Sequence, residues 1–279
     1  MRRVLPMLLL LSCGDEFARQ SQIRGVRVLA VKAEPAEIVL APQGSPPPGP
    51  VTLSALAVAP QGEVAVTFAL CRPGNAYDAA FECPGKDGLL LADNRLDLFS
   101  PEELAFLSPD SAAAFDPRDP KLLARLQAGI PITVGYEARA EDGSTERGVH
   151  RITLRLGETP NQNPVIEELL DEAGAPVQRL QTLSHTALVP RLGAGSVERF
   201  TSSRGEGTES VFFSWHATGD GVFASFRSQQ PGEGDKTSRV QASSVYSAPA
   251  VPGEITIYLV ARDGRGGTGW LARRISIVP

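Results

Sequence analysis

Histidine, cysteine, serine and acidic side chains are the groups with which this chain could hold a metal or attack a carbonyl, and their spacing decides whether they do. His150, His185 and His216 stand in separate segments, with no His-Glu-x-x-His run and no cysteine or carboxylate at ligand spacing. No metal site is expected from that pattern. No Gly-x-Ser-x-Gly elbow and no Ser-x-x-Lys occurs, so neither serine mechanism has its local signature. Gly264-Arg265-Gly266-Gly267-Thr268-Gly269 matches the dinucleotide pattern Gly-x-Gly-x-x-Gly. That pattern needs a helix and a further strand beyond it, whereas Trp270 to Pro279 reads as one strand and ends the sequence given. A hairpin turn is the expectation. Asp220 and Asp263 follow strands and could lend oxygens to calcium. Asp beside Gly is also the usual turn pair for backbone reasons, so both are expected to be solvated turn carboxylates. No catalytic residue and no cofactor is assigned, and the chain reads as a non-enzyme.

The N-terminal residues carry a different chemistry. Met1-Arg2-Arg3 precedes the apolar run Val4 to Leu11, and Leu10-Leu11-Ser12-Cys13 follows. The run is far shorter than the roughly 20 residues needed to span a hydrocarbon core. Pro6 within it and the polar Gly14-Asp15-Glu16 after it argue against a buried helix. Basic residues, a short apolar core and a small residue before the cut are the order of a secretory signal. The stretch resembles a bacterial lipoprotein signal peptide with its lipobox. That resemblance implies a signal at 1–12, acylation of Cys13 and attachment to a membrane. Two acyl chains already give stable anchoring. Arg2-Arg3 lacks the flanks of a twin-arginine signal, which points to the general secretory route. By the same resemblance, Gly14 rather than Asp after the cysteine implies the outer membrane, at its periplasmic face or surface. The expected location is the cell envelope.

Lipidation of Cys13 would settle an odd count of cysteines, which is awkward for an exported chain. Cys71 and Cys83 would remain, twelve positions apart, in an oxidising compartment. A disulfide between them is the expectation, contributing roughly 3 kcal/mol by the chain-entropy account.

The formal net charge is -5, and removal of Arg2 and Arg3 takes it to about -7 by the same counting. A mildly acidic chain without a basic cluster is a poor partner for nucleic acid, and it has no polybasic segment for anionic lipid. Its 27 glycines and 23 prolines are broken up by apolar strands, as in a turn-rich β protein.

Two segments echo each other. Ile132 to Ala140 leads through Asp142-Gly143 into Val149 to Leu156, and Ile255 to Arg262 leads through Asp263-Gly264 into Trp270 to Val278. Each reads as a hairpin with an Asp-Gly turn, and the repeat suggests two copies of one domain type. Val26 to Val31, Glu37 to Leu40, Val51 to Val58 and Val64 to Cys71 read as strands of the first copy. Pro164 to Leu170, a segment near Leu183 to Val189, Ser210 to His216 and Gly221 to Phe226 belong to the second. Gly157 to Pro164, rich in Pro and Asn, cannot continue a sheet.

Phe213-Ser214-Trp215, Gly219-Asp220-Gly221, Pro252-Gly253-Glu254-Ile255 and Ala261-Arg262-Asp263-Gly264 resemble the PKD and other immunoglobulin-like modules of bacterial surface proteins. The resemblance implies a sandwich with Trp215 in its core; in the first copy Phe68 takes the corresponding place. Between Cys83 and Ile130, Ser100-Pro101-Glu102-Glu103, Ser108-Pro109 and Asp119-Pro120 are helix starts with proline at the first position, and Gly129 can close the last.

The expected fold is therefore mainly β: two immunoglobulin-like β-sandwich domains in tandem. The divisions are a tether at 13–22, a first domain at 23–157 with a helical insertion at about 84–130, a linker at 158–164 and a second domain at 165–279. The expected function is a non-catalytic, membrane-anchored binding or structural module with an envelope protein or polysaccharide as partner. The alternative is an accessory subunit of an envelope assembly, docked through the insertion. A hydrolase of envelope polymers is disfavoured by the missing motifs. Phe99, Phe106 and Phe115 are the candidate interaction surface; packing of these rings onto the sheet is the plainer reading.

Overall fold

The computed structural model describes residues 20–41, 48–72, 83–107, 119–157, 159–202, 205–230, 232 and 242–279. Cys13, the signal, the tether up to residue 19, the helix expected at Ser108 and Phe115 lie outside them.

Among the described residues, eight strands build the first sandwich: β1 (Arg27–Glu34), β2 (Glu37–Leu40), β3 (Val51–Val58), β4 (Val64–Cys71), β5 (Gly88–Leu90), β6 (Arg95–Leu96), β7 (Ile130–Ala140) and β8 (Thr145–Leu156). One sheet runs β1-β3-β6 and the other β2-β8-β7-β4-β5. The expected hairpin is β7–β8, registered from Ile130 opposite Leu154 to Arg139 opposite Thr145. Asp142 accepts the Ser144 N–H at 2.8 Å, and Gly143 takes a φ of 85° that a side chain would resist. Val51 and Leu53 from one sheet meet Phe68, Leu70, Val134 and Ile152 from the other in a closed core. Each such side chain contributes about 1.5–3 kcal/mol through burial.

Within the insertion, α1 (Pro101–Leu107) starts where Ser100 Oγ accepts the Glu103 N–H at 3.3 Å. The second helix, α2 (Pro120–Ala128), is capped by Asp119, which accepts the Lys121 N–H at 2.9 Å, and it stops at Gly129. The insertion is not purely helical, however. It also supplies β5 to the edge of β4 and β6 to the edge of β3. Leu91 and Leu96 are buried beside these strands and drive that return. The disulfide expected between Cys71 and Cys83 is present, with Cα atoms 5.7 Å apart. It ties the end of β4 to the turn that feeds β5, and both cysteines are buried.

The second sandwich comprises β9 (Ile166–Leu170), β10 (Arg179–Gln181), β11 (His185–Leu192), β12 (Arg199–Ser202), β13 (Gly205–Thr208), β14 (Val211–Ala217), β15 (Val222–Phe223), β16 (Arg227–Gln230), β17 (Ser244–Ser247), β18 (Gly253–Arg262) and β19 (Thr268–Val278). Its sheets run β10-β19-β18-β14-β16 and β15-β17-β11-β9, with β12 and β13 as a separate ribbon. Trp215 is fully buried. Its indole donates to Ser228 Oγ at 2.8 Å, and Ser228 passes its own proton to Ala242 O at 2.7 Å. Phe223 lies between Trp215 and Tyr246, at ring-centre distances of 5.5 and 4.8 Å. The ring that sequence placed at the centre of this core is there, with its polar edge satisfied.

One boundary moves. The tether expected to run through Gln22 ends earlier, because Ser21 and Gln22 are buried. Ala217 donates its N–H to Ser21 O at 2.8 Å, and Ile23 donates to Ala217 O at 3.1 Å. Backbone bonding to the end of β14 places these polar residues. The chain thus touches the second domain before it builds the first.

Candidate functional site at the domain joint

Alternation along β18 sends Ile255, Ile257, Leu259 and Ala261 into the second core, and leaves Tyr258 and Val260 on the opposite face. That face is covered by the first domain. Val260 is fully buried among Ile23, Leu29, Ala30 and Val58, with Leu56, Tyr258 and Trp270 packed around them. A register shift in β1 between Val28 and Ala30 makes this possible. A bulge changes which side chains face which side, so Val31 and Ala33 point into the first core while Leu29 and Ala30 reach the second domain.

Polar residues lock the same joint. The segment expected as a linker crosses between the domains with Asn161 buried. Asn161 Nδ2 donates to Asp263 Oδ2 at 2.7 Å, and the Asn161 N–H reaches Glu37 Oε2 at 3.0 Å. Glu37 also pairs with Arg155 at 2.7 Å. Asn163 donates to Ala33 O at 2.8 Å and accepts the Thr268 N–H at 2.8 Å, joining β1 to β19. The expectation for Asp263 is corrected here: it is buried, not solvated. Its Oδ1 accepts the N–H groups of Arg265 at 2.7 Å and Gly267 at 2.9 Å, and Asn161 takes the other oxygen. The Gly-x-Gly-x-x-Gly run is the tip of the β18–β19 hairpin, and the crossing segment explains its later glycines. A Cβ on Gly269 would collide with the Pro164 carbonyl, and one on Gly267 with the Asp263 carboxylate.

On one side of this joint lies a cleft of about 320 Å³, walled by Val28 to Val31 of β1, Tyr136 of β7, His150 of β8, and Arg262 with the hairpin tip. Tyr136 and His150 share a face of the β7–β8 ladder, since Val134 opposes His150 and Tyr136 opposes Gly148. Gly148 leaves room for the phenol; a Cβ there would strike it. Arg262 donates to Leu29 O at 2.7 Å and, at 3.4 Å, to Ser214 Oγ. His150 Nε2 is buried without a partner among the described residues. Burial, and then the Arg262 charge, hold the imidazole down to about 4, so it is neutral at pH 7. Burial, with Glu146 next, raises the Tyr136 phenol. On the other side a groove of about 480 Å³ runs between Lys32, Glu34, Asn161, Asn163 and Trp270, and the Lys32 ammonium sits 5.5 Å from the Trp270 ring centre.

The residues singled out in the sequence are scattered across this frame. His185 is exposed on β11, with Nδ1 2.8 Å from Ser247 Oγ of β17. His216 is buried, with Nδ1 3.2 Å from Gln20 O, and burial with the Arg27 charge lowers it to about 4. Asp220 is exposed. Among the described residues no group of three or more His, Cys, Asp or Glu is placed to hold a metal ion. Among them, too, no helix is long and apolar enough to cross a membrane. Phe99 and Phe106 are half-buried against the first core, and the Arg72 guanidinium lies 5.1 Å from the Phe106 ring centre. Two rings of the candidate interaction surface therefore pack inward. Tyr136, His150 and Arg262 form the grouping that sequence reasoning did not find; their separation along the chain hides it, and only the bulge in β1 and the glycine at 148 hint at a cavity.

No protein-family model and no curated protein matches the chain. Solved structures that resemble it include the D00-D0 domain of intimin, at 10% identity over 90% of this chain and 100% of that one, with a TM-score of 0.28. The fibronectin(III)-like modules of Clostridium thermocellum CbhA match at 10% identity over 89% of this chain and 94% of theirs, with a TM-score of 0.22. Protocadherin gammaB7 EC3-6 matches at 14% identity over 90% and 50%, with a TM-score of 0.24. Scores of this size carry no argument about ligand; the fold rests on the two sandwiches themselves.

Proposed function

We propose that the chain is a non-catalytic, lipid-anchored binding or structural module of the bacterial cell envelope. The observation that carries this reading is the run from Arg2-Arg3 to Leu-Leu-Ser-Cys13. The Cys71–Cys83 bond supports it, because such bonds persist in oxidising compartments. The apolar cluster around Val260 and the bonds of Asn161 and Asn163 join the two sandwiches and suit a display platform. Gln20 stands seven positions after Cys13, so the anchor would hold the joint within roughly 25 Å of the bilayer at full extension. The outer membrane is the proposed location, on the strength of Gly14.

The test is metabolic labelling with palmitate in a bacterial host. The wild-type chain should take up label and run as the processed form, whereas Cys13→Ala should remain an unlabelled precursor. Normal processing of the variant would overturn the anchor.

A second reading, an accessory subunit docked through the insertion, is favoured by Leu90 and Leu104, which are 55% and 41% exposed there. Pull-down from solubilised envelopes should then lose a partner on Leu104→Glu. A partner, whether protein or polysaccharide, retained by that variant would count against docking through the insertion.

A further inference from the structure

We propose that the cleft between the domains binds a small carboxylate-bearing molecule through Arg262, with Tyr136 and His150 in its walls. The inference goes beyond the anchored-module reading and stands whether or not Cys13 is acylated.

Arg262 is the reason. A guanidinium has five N–H donors in a planar fork, and this one commits one to Leu29 O and another, at 3.4 Å, to Ser214 Oγ. Among the described residues no carboxylate pairs with it, and burial together with the Arg227 charge lowers its pKa. A cation withdrawn from water without an anion is costly, and a ligand carboxylate would supply the missing charge in two-pronged geometry. The two nearby acids are otherwise engaged. Glu146 accepts the Val28 N–H, and Asp263 is taken up by Asn161 and the hairpin tip. Neither lines the cleft.

The remaining walls fit the same ligand. His150 lines the cleft, and its buried Nε2 has no partner among the described residues. No hydrogen bond ties up the Tyr136 hydroxyl among the described residues; the residue lines the cleft, with that hydroxyl over Gly148. Val28, Leu29 and Val31 offer an apolar side. At about 320 Å³ the cleft lies at the small end of ligand sites, which selects a compact molecule. A sugar acid and the free terminus of a short peptide share this chemistry.

The experiment is an NMR titration of the full chain in detergent, reading the Arg262 Nε–H and His150 ring signals. The probes are D-glucuronate, N-acetyl-alanine and, as the neutral control, D-glucose. Saturable shifts with either acid and none with glucose are expected, and the acid that saturates first identifies the source. The bound anion should also raise the His150 pKa from about 4. Arg262→Gln should abolish the response. Tyr136→Phe keeps the ring over Gly148 and should weaken binding roughly 2- to 10-fold, which serves if the arginine variant does not fold. No saturable shift with either acid, or shifts that survive Arg262→Gln in a folded protein, would overturn the proposal.

Discussion

Asn161 Nδ2 donates to Asp263 Oδ2 across 2.7 Å and 102 positions of sequence. This bond ties the crossing segment to the hairpin of the second domain, while the Asn161 backbone holds Glu37 of the first. The joint is therefore a built interface, with its own apolar cluster and its own polar network.

Asp263→Ala removes three acceptor contacts at once, two to backbone N–H groups. Buried donors left without partners are expensive, so the expected loss is about 2–4 kcal/mol. Differential scanning calorimetry should show the single transition splitting in two as the domains part company. An unchanged single melt would mean that the network contributes little.

The turn chemistry at Asp263-Gly264 was legible, because Asp beside Gly between alternating strands marks a hairpin. Its burial was not, since Asn161 comes from a distant segment. Trp215 and the caps at Ser100 and Asp119 could be read for the same local reasons. β5 and β6 could not, with three and two residues respectively; such lengths carry no period, and their pairing is decided by β4 and β3. Ser21 and Gln22 looked like tether because polar residues give no strand signal when only their backbone bonds. The cleft was invisible for a related reason. Tyr136 and His150 share a face of the first domain, and Arg262 reaches them only once the domains dock.

His150 and His216 make stability depend on pH. Both are held near 4 by burial first, against about 6.5 in an unfolded chain. Above 6.5 both states are neutral and nothing changes. As pH falls from 6.5 towards 4 the unfolded chain takes protons that the native chain refuses, so stability declines, and below 4 this contribution is flat. Each histidine should cost on the order of 3 kcal/mol over that window. Urea midpoints between pH 7 and pH 4 measure it. His216→Gln should remove one share of the slope, and an unaltered slope would contradict its burial as the cause.

Loss of the disulfide should act locally as well as globally. The double variant Cys71→Ser with Cys83→Ser should lose roughly 3 kcal/mol. Hydrogen exchange should quicken first at β5, which the bond tethers to β4. Uniform acceleration across both domains would show that the bond does not specifically hold that edge.

A second-domain fragment cut near Thr159 should fold as an all-β unit, because Trp215, Phe213 and Phe223 lie in a core drawn from its own strands. It should melt below the whole chain and bind a hydrophobic dye, since Val260 and Trp270 lose their cover from the first domain. A disordered fragment would mean that the joint is required for folding.

The intact mass of the wild-type protein extracted from bacterial envelopes tests the lipid anchor on Cys13. The mass should be that of a chain beginning at Cys13, with the added mass of its acyl chains and with Cys71 and Cys83 joined. A mass matching the full sequence from Met1, or a chain beginning at Cys13 with no lipid, would contradict it.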